Sequence, residues 1–189
     1  MNDKSENTNI FARAQFPGKI IMINSDEEIA PALDTLRFEP FIGFDTETKP
    51  SFAKGEVYQV SLLQLATAEH ALLFRLHSLK DTSLIKAFFE DENYKKMGVA
   101  IRDDIKALQK MFSFEPKGFV ELSDLAKSHQ LKNFGLKGMT EEVLGLTLSK
   151  RAKLSNWESK DLKNDQRNYA ATDAWIGREI YIALLNKKI

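Results

Sequence analysis

Five oxygen-bearing side chains stand out by type and spacing: Asp45, Glu47, Asp104, Tyr169 and Asp173. Asp45 and Glu47 close the run Phe41-Ile42-Gly43-Phe44-Asp45-Thr46-Glu47-Thr48, whose apolar start reads as a strand. Two residues apart on a strand, their carboxylates project from one face. Like charges so placed raise a carboxylate pKa or demand a counter-ion, and a divalent cation bound through oxygens meets that demand. Two solvated acids at an exposed strand end would read the same way, so this pair alone defines no reaction.

The helix expected from about Arg102 to Phe112 carries Asp103 and Asp104, and helical periodicity separates them. Ile101, Asp104, Ile105, Leu108, Met111 and Phe112 share one stripe, whereas Asp103 falls with Ala107 and Lys110 nearer water. An acid within an apolar stripe is costly unless it is paired or bound to metal, which points to Asp104; a helix-capping role for it stays open. The last helix repeats the pattern, with Asp173, Ile176, Gly177, Ile180 and Leu184 on one stripe and Tyr169 one turn before Asp173. Ala170, Ala171, Ala174 and Gly177 keep that helix thin enough to approach a sheet closely. Taken alone, Tyr169 would read as a half-buried aromatic with a wet hydroxyl. Together the four acids form an oxygen-rich, anionic cluster suited to two hard divalent ions, Mg2+ or Mn2+. Two such ions about 3.5–4 Å apart clamp the attacking and leaving oxygens of a phosphoryl displacement. With an ordinary pKa near 10, a tyrosine is a poor general base, so Tyr169 is expected to orient the attacking water.

These residues need a scaffold, and the chain has the length for one. Its 189 residues, 43% of them hydrophobic, suffice for a single well-buried core. Lys19–Ile23 reads as a strand, and Ser25-Asp26-Glu27-Glu28 opens a helix reaching about Leu36. Val57–Ala66 and Ala71–Leu76 read as neighbouring strands, followed by a helix from Asp81-Thr82-Ser83 to Phe89 and a buried strand Met97–Ile101. Beyond Phe119 only helical patterns are evident, over 123–129, 136–144 and 160–185. The expectation is an α/β fold with a mixed sheet of five to six strands, flanked by helices and followed by a helical C-terminal half. One domain is expected over residues 18–189, after a flexible segment 1–17 whose Phe11 and Phe16 could dock. Lys plus Arg and Asp plus Glu both number 27, so no global field favours a polyanion, and any such binding must come from a local patch. The absence of Cys excludes disulfides and thiolate chemistry, and no stretch approaches the roughly 20 apolar residues of a membrane span. A soluble, cytoplasmic protein with no membrane partner is the expectation.

Three segments carry a family resemblance: Asp45-Thr46-Glu47, Gly98-Val99-Ala100-Ile101-Arg102-Asp103-Asp104, and Tyr169-Ala170-Ala171-Thr172-Asp173. In order and spacing they resemble the three motifs of the DEDDy 3'-5' exonucleases. Leu154-Ser155-Asn156-Trp157 and the stretch from Asp165 to Ala174 are similar to the Werner-syndrome-helicase exonuclease domain and, more distantly, to ribonuclease D. The resemblance covers about Lys19 to Leu185. It implies a ribonuclease H-like fold and metal-dependent release of nucleoside monophosphates from the 3' end of DNA, with RNA trimming or catalytically silent nucleic-acid binding as alternatives. By position, Asp45, Glu47, Asp104 and Asp173 match the four metal-site acids and Tyr169 the water-orienting tyrosine. The resemblance further implies that Asp45 bridges both metals, that Glu47 and Asp173 hold the one carrying the nucleophile, and that Asp104 acts through water. Asp103 departs from the helicase pattern, which has a small residue there. No fused helicase fits in this length.

Substrate contacts are less sharply marked. Between Lys127 and Lys163 stand eight Lys or Arg against four acids, and Lys150, Arg151 and Lys153 form the tightest cluster. Lys160 and Lys163 fit a solvated helical face equally well. Thr46 and the Glu47 backbone fall where a terminal nucleotide would sit, and Leu65, with Leu63 and Gln64, is expected to wall its base. Trp157 reads as a core anchor before a stacking platform. His70, His77 and His129 show no ligand spacing.

Overall fold

The structure is a computed structural model and describes residues 11–51, 53, 55–149 and 155–187. Among the described residues eight strands are present: β1 (Ala12–Arg13), β2 (Lys19–Ile23), β3 (Phe41–Thr48), β4 (Val60–Ala66), β5 (His70–Arg75), β6 (Lys95–Gly98), β7 (Phe119–Glu121) and β8 (Leu146–Thr147). Six of them form one sheet in the order β2-β5-β4-β3-β6-β7. The β3-β4 and β4-β5 pairs are antiparallel, and the β2-β5, β3-β6 and β6-β7 pairs are parallel. β3 therefore lies where the two kinds of pairing meet. The helices are α1 (Ile29–Asp34), α2 (Ser83–Glu90), α3 (Ile101–Met111), α4 (Leu122–Ser128), α5 (Leu136–Met139) and α6 (Asn164–Asn186). The mixed α/β architecture expected from the sequence is what forms.

All seven residues of β4 are buried, because both faces of the sheet are covered. Leu63 and Leu65 join Phe44, Leu72 and Phe74 on one face, against α1, Phe88 and Phe89 of α2, and Ile101 and Leu108 of α3. On the other face Leu62 and Leu73 pack with Trp157, Leu162 and Ala170, while Ala66 and Ala71 meet Ala171 and Ala174. α6 thus lies across the sheet, and small residues set its height. A Cβ at Gly43 would come 1.9 Å from the Ala174 carbonyl oxygen, and one at Gly177 would come 3.3 Å from that of Met97.

Several boundaries differ from those read in the sequence. β7 and β8 lie in the half read as wholly helical; at three and two residues they are too short to display a period of two. The strand expected at Met97–Ile101 is β6, two residues earlier, because the chain turns at Ala100 (φ 61°) directly into α3. The helix expected over 136–144 is α5 followed by a π-turn, Thr140–Leu144, closed by Gly145 at φ 65°. Residues ahead of 18 also pack on the domain. β1 pairs with β8, the Phe16 amide donates to Thr172 Oγ1 at 3.0 Å, and Phe16 is buried against Trp175. Residues 1–10 lie outside the described residues.

Candidate active site

β3 pairs with β4 along almost its whole length, but its ladder with β6 covers only Phe41–Gly43. Past that point the two strands part, and a cleft of about 420 Å³ opens beside Phe44–Thr48. All five of these consecutive residues line it, so the strand presents its backbone edge as well as alternate side chains. Pro50, Gly98 and Val99, Leu136, and Tyr169 and Asp173 of α6 complete the wall.

Asp45, Glu47 and Asp173 each place a carboxylate oxygen within 4.8 Å of the others. Desolvation, followed by repulsion from Asp173, Glu47 and Asp104, holds the Asp45 carboxyl well above the ordinary range. Such a set is unstable as bare anions. It offers only hard oxygen donors, the chemistry that Mg2+ or Mn2+ takes, so the residues present fit divalent ions.

Asp104 is not in that group of three. It is half-buried at the start of α3, and the Thr46 hydroxyl donates to its Oδ1 at 2.5 Å. Burial raises its pKa, and the Thr46 hydrogen bond partly offsets this. Thr46 thus connects the two acids flanking it on β3 with the acid on α3. Asp103 projects into solvent with its side chain 93% exposed, 3.6 Å from Lys106, which agrees with the stripe that singled out Asp104.

Tyr169 stands one turn before Asp173 and lines the same cleft. Burial, then the charges of Asp173 and Glu47, push its phenol far above its usual value, so it stays a neutral hydrogen-bond donor. Its ring lies 6.1 Å from that of Trp157, which is fully buried and serves as a core anchor.

Leu65, expected to wall the base, does not line the cleft. It is fully buried with Phe44 and Leu63 on the sheet face opposite α6, and strand alternation gives the α6 face to Leu62, Gln64 and Ala66. Lys150, Arg151 and Lys153 lie outside the described residues.

Two supporting residues escaped the sequence reading. Glu121, at the end of β7, accepts hydrogen bonds from the amides of Ala100 and Ile101, both at 2.9 Å, and from Ser123 at 3.1 Å. It caps α3, whose own N-cap position is Ala100 with no side chain to offer, and so fixes the helix that carries Asp104. Arg75, buried at the end of β5, donates to the carbonyls of Ser159 and Lys160 and holds the turn before α6. A strand-end Glu followed by Leu-Ser-Asp was the one available signal for the first; a long-range Arg-to-carbonyl clamp leaves none.

A mixed sheet flanked by helices, with acids gathered beside its central strand, defines a ribonuclease H-like nuclease domain. Comparison with known proteins gives the lineage. The family model described as 3'-5' exonuclease matches residues 20–188, and the chain belongs to that family. It is 32% identical over 182 residues to the bifunctional 3'-5' exonuclease/ATP-dependent helicase WRN of Mus musculus, covering 91% of this chain and 13% of that protein. It is 30% identical over 157 residues to ribonuclease D of Escherichia coli, covering 82% of this chain and 41% of that protein. The crystal structure of that enzyme superposes with a TM-score of 0.79 over 88% of this chain and 44% of that one, at 28% identity. The Nibbler EXO domain of Aedes aegypti superposes at 0.78 over 87% and 86% of the two chains, at 26% identity. The chain thus spans less than half the length of these two curated relatives. Among the described residues no helix is long and apolar enough to cross a membrane.

Proposed function

We propose that this exonuclease removes nucleotides one at a time from the 3' end of DNA, releasing nucleoside 5'-monophosphates with the help of two divalent ions. The observation that carries the reading is the convergence of Asp45, Glu47 and Asp173 within 4.8 Å at the open end of β3. Bound there, Mg2+ or Mn2+ ions acidify the attacking water and stabilise the charge that develops on the phosphate. Asp45, Glu47 and Asp173 would hold the ions in this scheme, with Asp45 shared between them, and Asp104, steadied by Thr46, would act through bound water. The Tyr169 hydroxyl hydrogen-bonds and orients the water. Its raised pKa fits orientation of the water better than removal of its proton. The backbone edge of Thr46 and Glu47 receives the terminal nucleotide. The choice of DNA follows the likeness to the helicase-linked exonuclease, which covers 91% of this chain against 82% for ribonuclease D.

RNA is the second reading, because the solved E. coli relative is titled an exoribonuclease. Digestion of matched 5'-labelled DNA and RNA strands, single-stranded and recessed, with Mg2+ or Mn2+ decides between them. A one-nucleotide ladder on DNA, abolished by chelator and by Asp45→Ala, is expected. Faster trimming of RNA would replace DNA as substrate, and trimming that survives Asp45→Ala would overturn the metal scheme.

A further inference from the structure

A second cleft, of about 630 Å³, meets the first along α6, and Tyr169 and Asp173 line both. One wall is the N-terminal arm at Arg13 and Gln15; another is formed by Asn156 and by Lys163 at the start of α6. The arm is held in place at both ends. β1 bridges to β8, the Ala14 amide donates to the Thr147 carbonyl at 2.9 Å, and Phe16 is anchored against α6 through Thr172 and Trp175. Between those anchors the Arg13 side chain is exposed, as is that of Lys163.

The electrostatics along this path are polarised. Its catalytic end is anionic and repels phosphate until cations neutralise it, while the far end presents Arg13 and Lys163, which attract phosphate, against one exposed acid, Asp165. Gln15 and Asn156 add neutral amides suited to phosphate and sugar oxygens. The combined space exceeds what one terminal nucleotide needs, and a polymer must leave the acid cluster in some direction.

Resting on the function proposed above, we infer that this second cleft carries the substrate strand 5' of the scissile phosphate, with Arg13 and Lys163 each engaging a backbone phosphate. The N-terminal arm is then a working wall of the substrate site. Arg13 is a binding residue in this scheme and takes no part in bond cleavage.

The test compares a single strand of about ten nucleotides with the p-nitrophenyl ester of thymidine 5'-monophosphate, which has no upstream phosphate. For Arg13→Ala and Lys163→Ala, KM for the strand should rise roughly threefold to tenfold with kcat little changed, and the slope of log affinity against log salt should shrink by about 0.7 per variant. Hydrolysis of the ester should be unaffected, and Arg13→Lys should retain the wild-type salt slope. Wild-type KM and slope in both alanine variants, or an equal loss on ester and strand, would overturn the inference. If the wild-type enzyme cleaves neither substrate, the functional reading fails, while anisotropy of a labelled strand still measures the salt slopes and decides the cleft.

Discussion

Gly43→Ala should disable the enzyme while leaving every polar group of the site in the chain. The added Cβ would sit 1.9 Å from the Ala174 carbonyl oxygen and 2.7 Å from its carbon, both backbone atoms that no rotamer change can move. Reaching even 3.0 Å requires α6 to withdraw by about 1.1 Å, and Ala174 adjoins Asp173, so the withdrawal opens the Asp45–Glu47–Asp173 group. A displacement near 1 Å at a reacting centre costs on the order of 10²-fold in rate, equivalent to about 2.7 kcal/mol of transition-state stabilisation. Overpacking should also cost roughly 1–3 kcal/mol of stability. The assay is single-turnover release of the terminal nucleotide from a 5'-labelled strand at saturating Mn2+, with urea unfolding in parallel. Gly135→Ala is the control, since its Cβ would meet nothing within 4 Å. Wild-type turnover by a folded Gly43→Ala enzyme would refute the argument that contact between α6 and β3 sets the acid geometry.

Tyr169→Phe should slow kcat by about 10²-fold while leaving Mn2+ affinity, read by isothermal titration, near wild type; a loss of metal affinity would contradict a water-orienting role. Asp104→Ala should be severe and Asp103→Ala mild in the same nucleotide-release assay, and the reverse order would place the third acid one residue earlier. Asp45 has a raised pKa in the fold, so its protonated form stabilises the metal-free protein below the unfolded value of 3.8, and that contribution is lost as pH rises through the folded pKa. Metal-free Asp45→Asn should therefore melt above wild type at pH 7, with Mn2+ raising the melting temperature of wild type only; coincident melting curves would count against this. Lys96 is fully buried in β6, and desolvation pushes its pKa from 10.5 to about 8. Because the unfolded chain binds the proton more tightly, the penalty is complete below pH 8 and is relieved between pH 8 and 10.5. Urea unfolding should show wild type gaining roughly 3 kcal/mol relative to Lys96→Met across that window, and parallel pH profiles would exclude it.

Asp45, Glu47, Asp104, Tyr169 and Asp173 were legible in the sequence because each belongs to a regular element whose period fixes its direction. The same periodicity placed Asp103 in solvent, and Ala170, Ala174 and Gly177 announced a helix lying close to strands. The burial of Leu65 was not legible, because an apolar strand buried on both faces contains no mark of which face borders the cleft. β7 and β8 are defined by partners distant in sequence and are shorter than any readable period. Glu121 and Arg75 act on backbone groups brought near only by the sheet order, and neither leaves a local pattern. Phe11 and Phe16 suggested that the arm carrying Arg13 could dock, but no local period said where, and its place follows from the burial of Phe16 against α6.

The parting of β3 from β6 after Gly43 leaves a cleft bordered by five consecutive residues and hence by their peptide groups. Peptide groups are shared by every side-chain variant of the chain. Contacts made through that edge are silent in alanine scanning, which will account for less than the whole binding energy. They are also insulated from mutational drift, since a sequence that keeps the strand register keeps those donors and acceptors. On the function proposed here, part of substrate recognition would be inherited with the topology, leaving side-chain evolution to tune specificity around it.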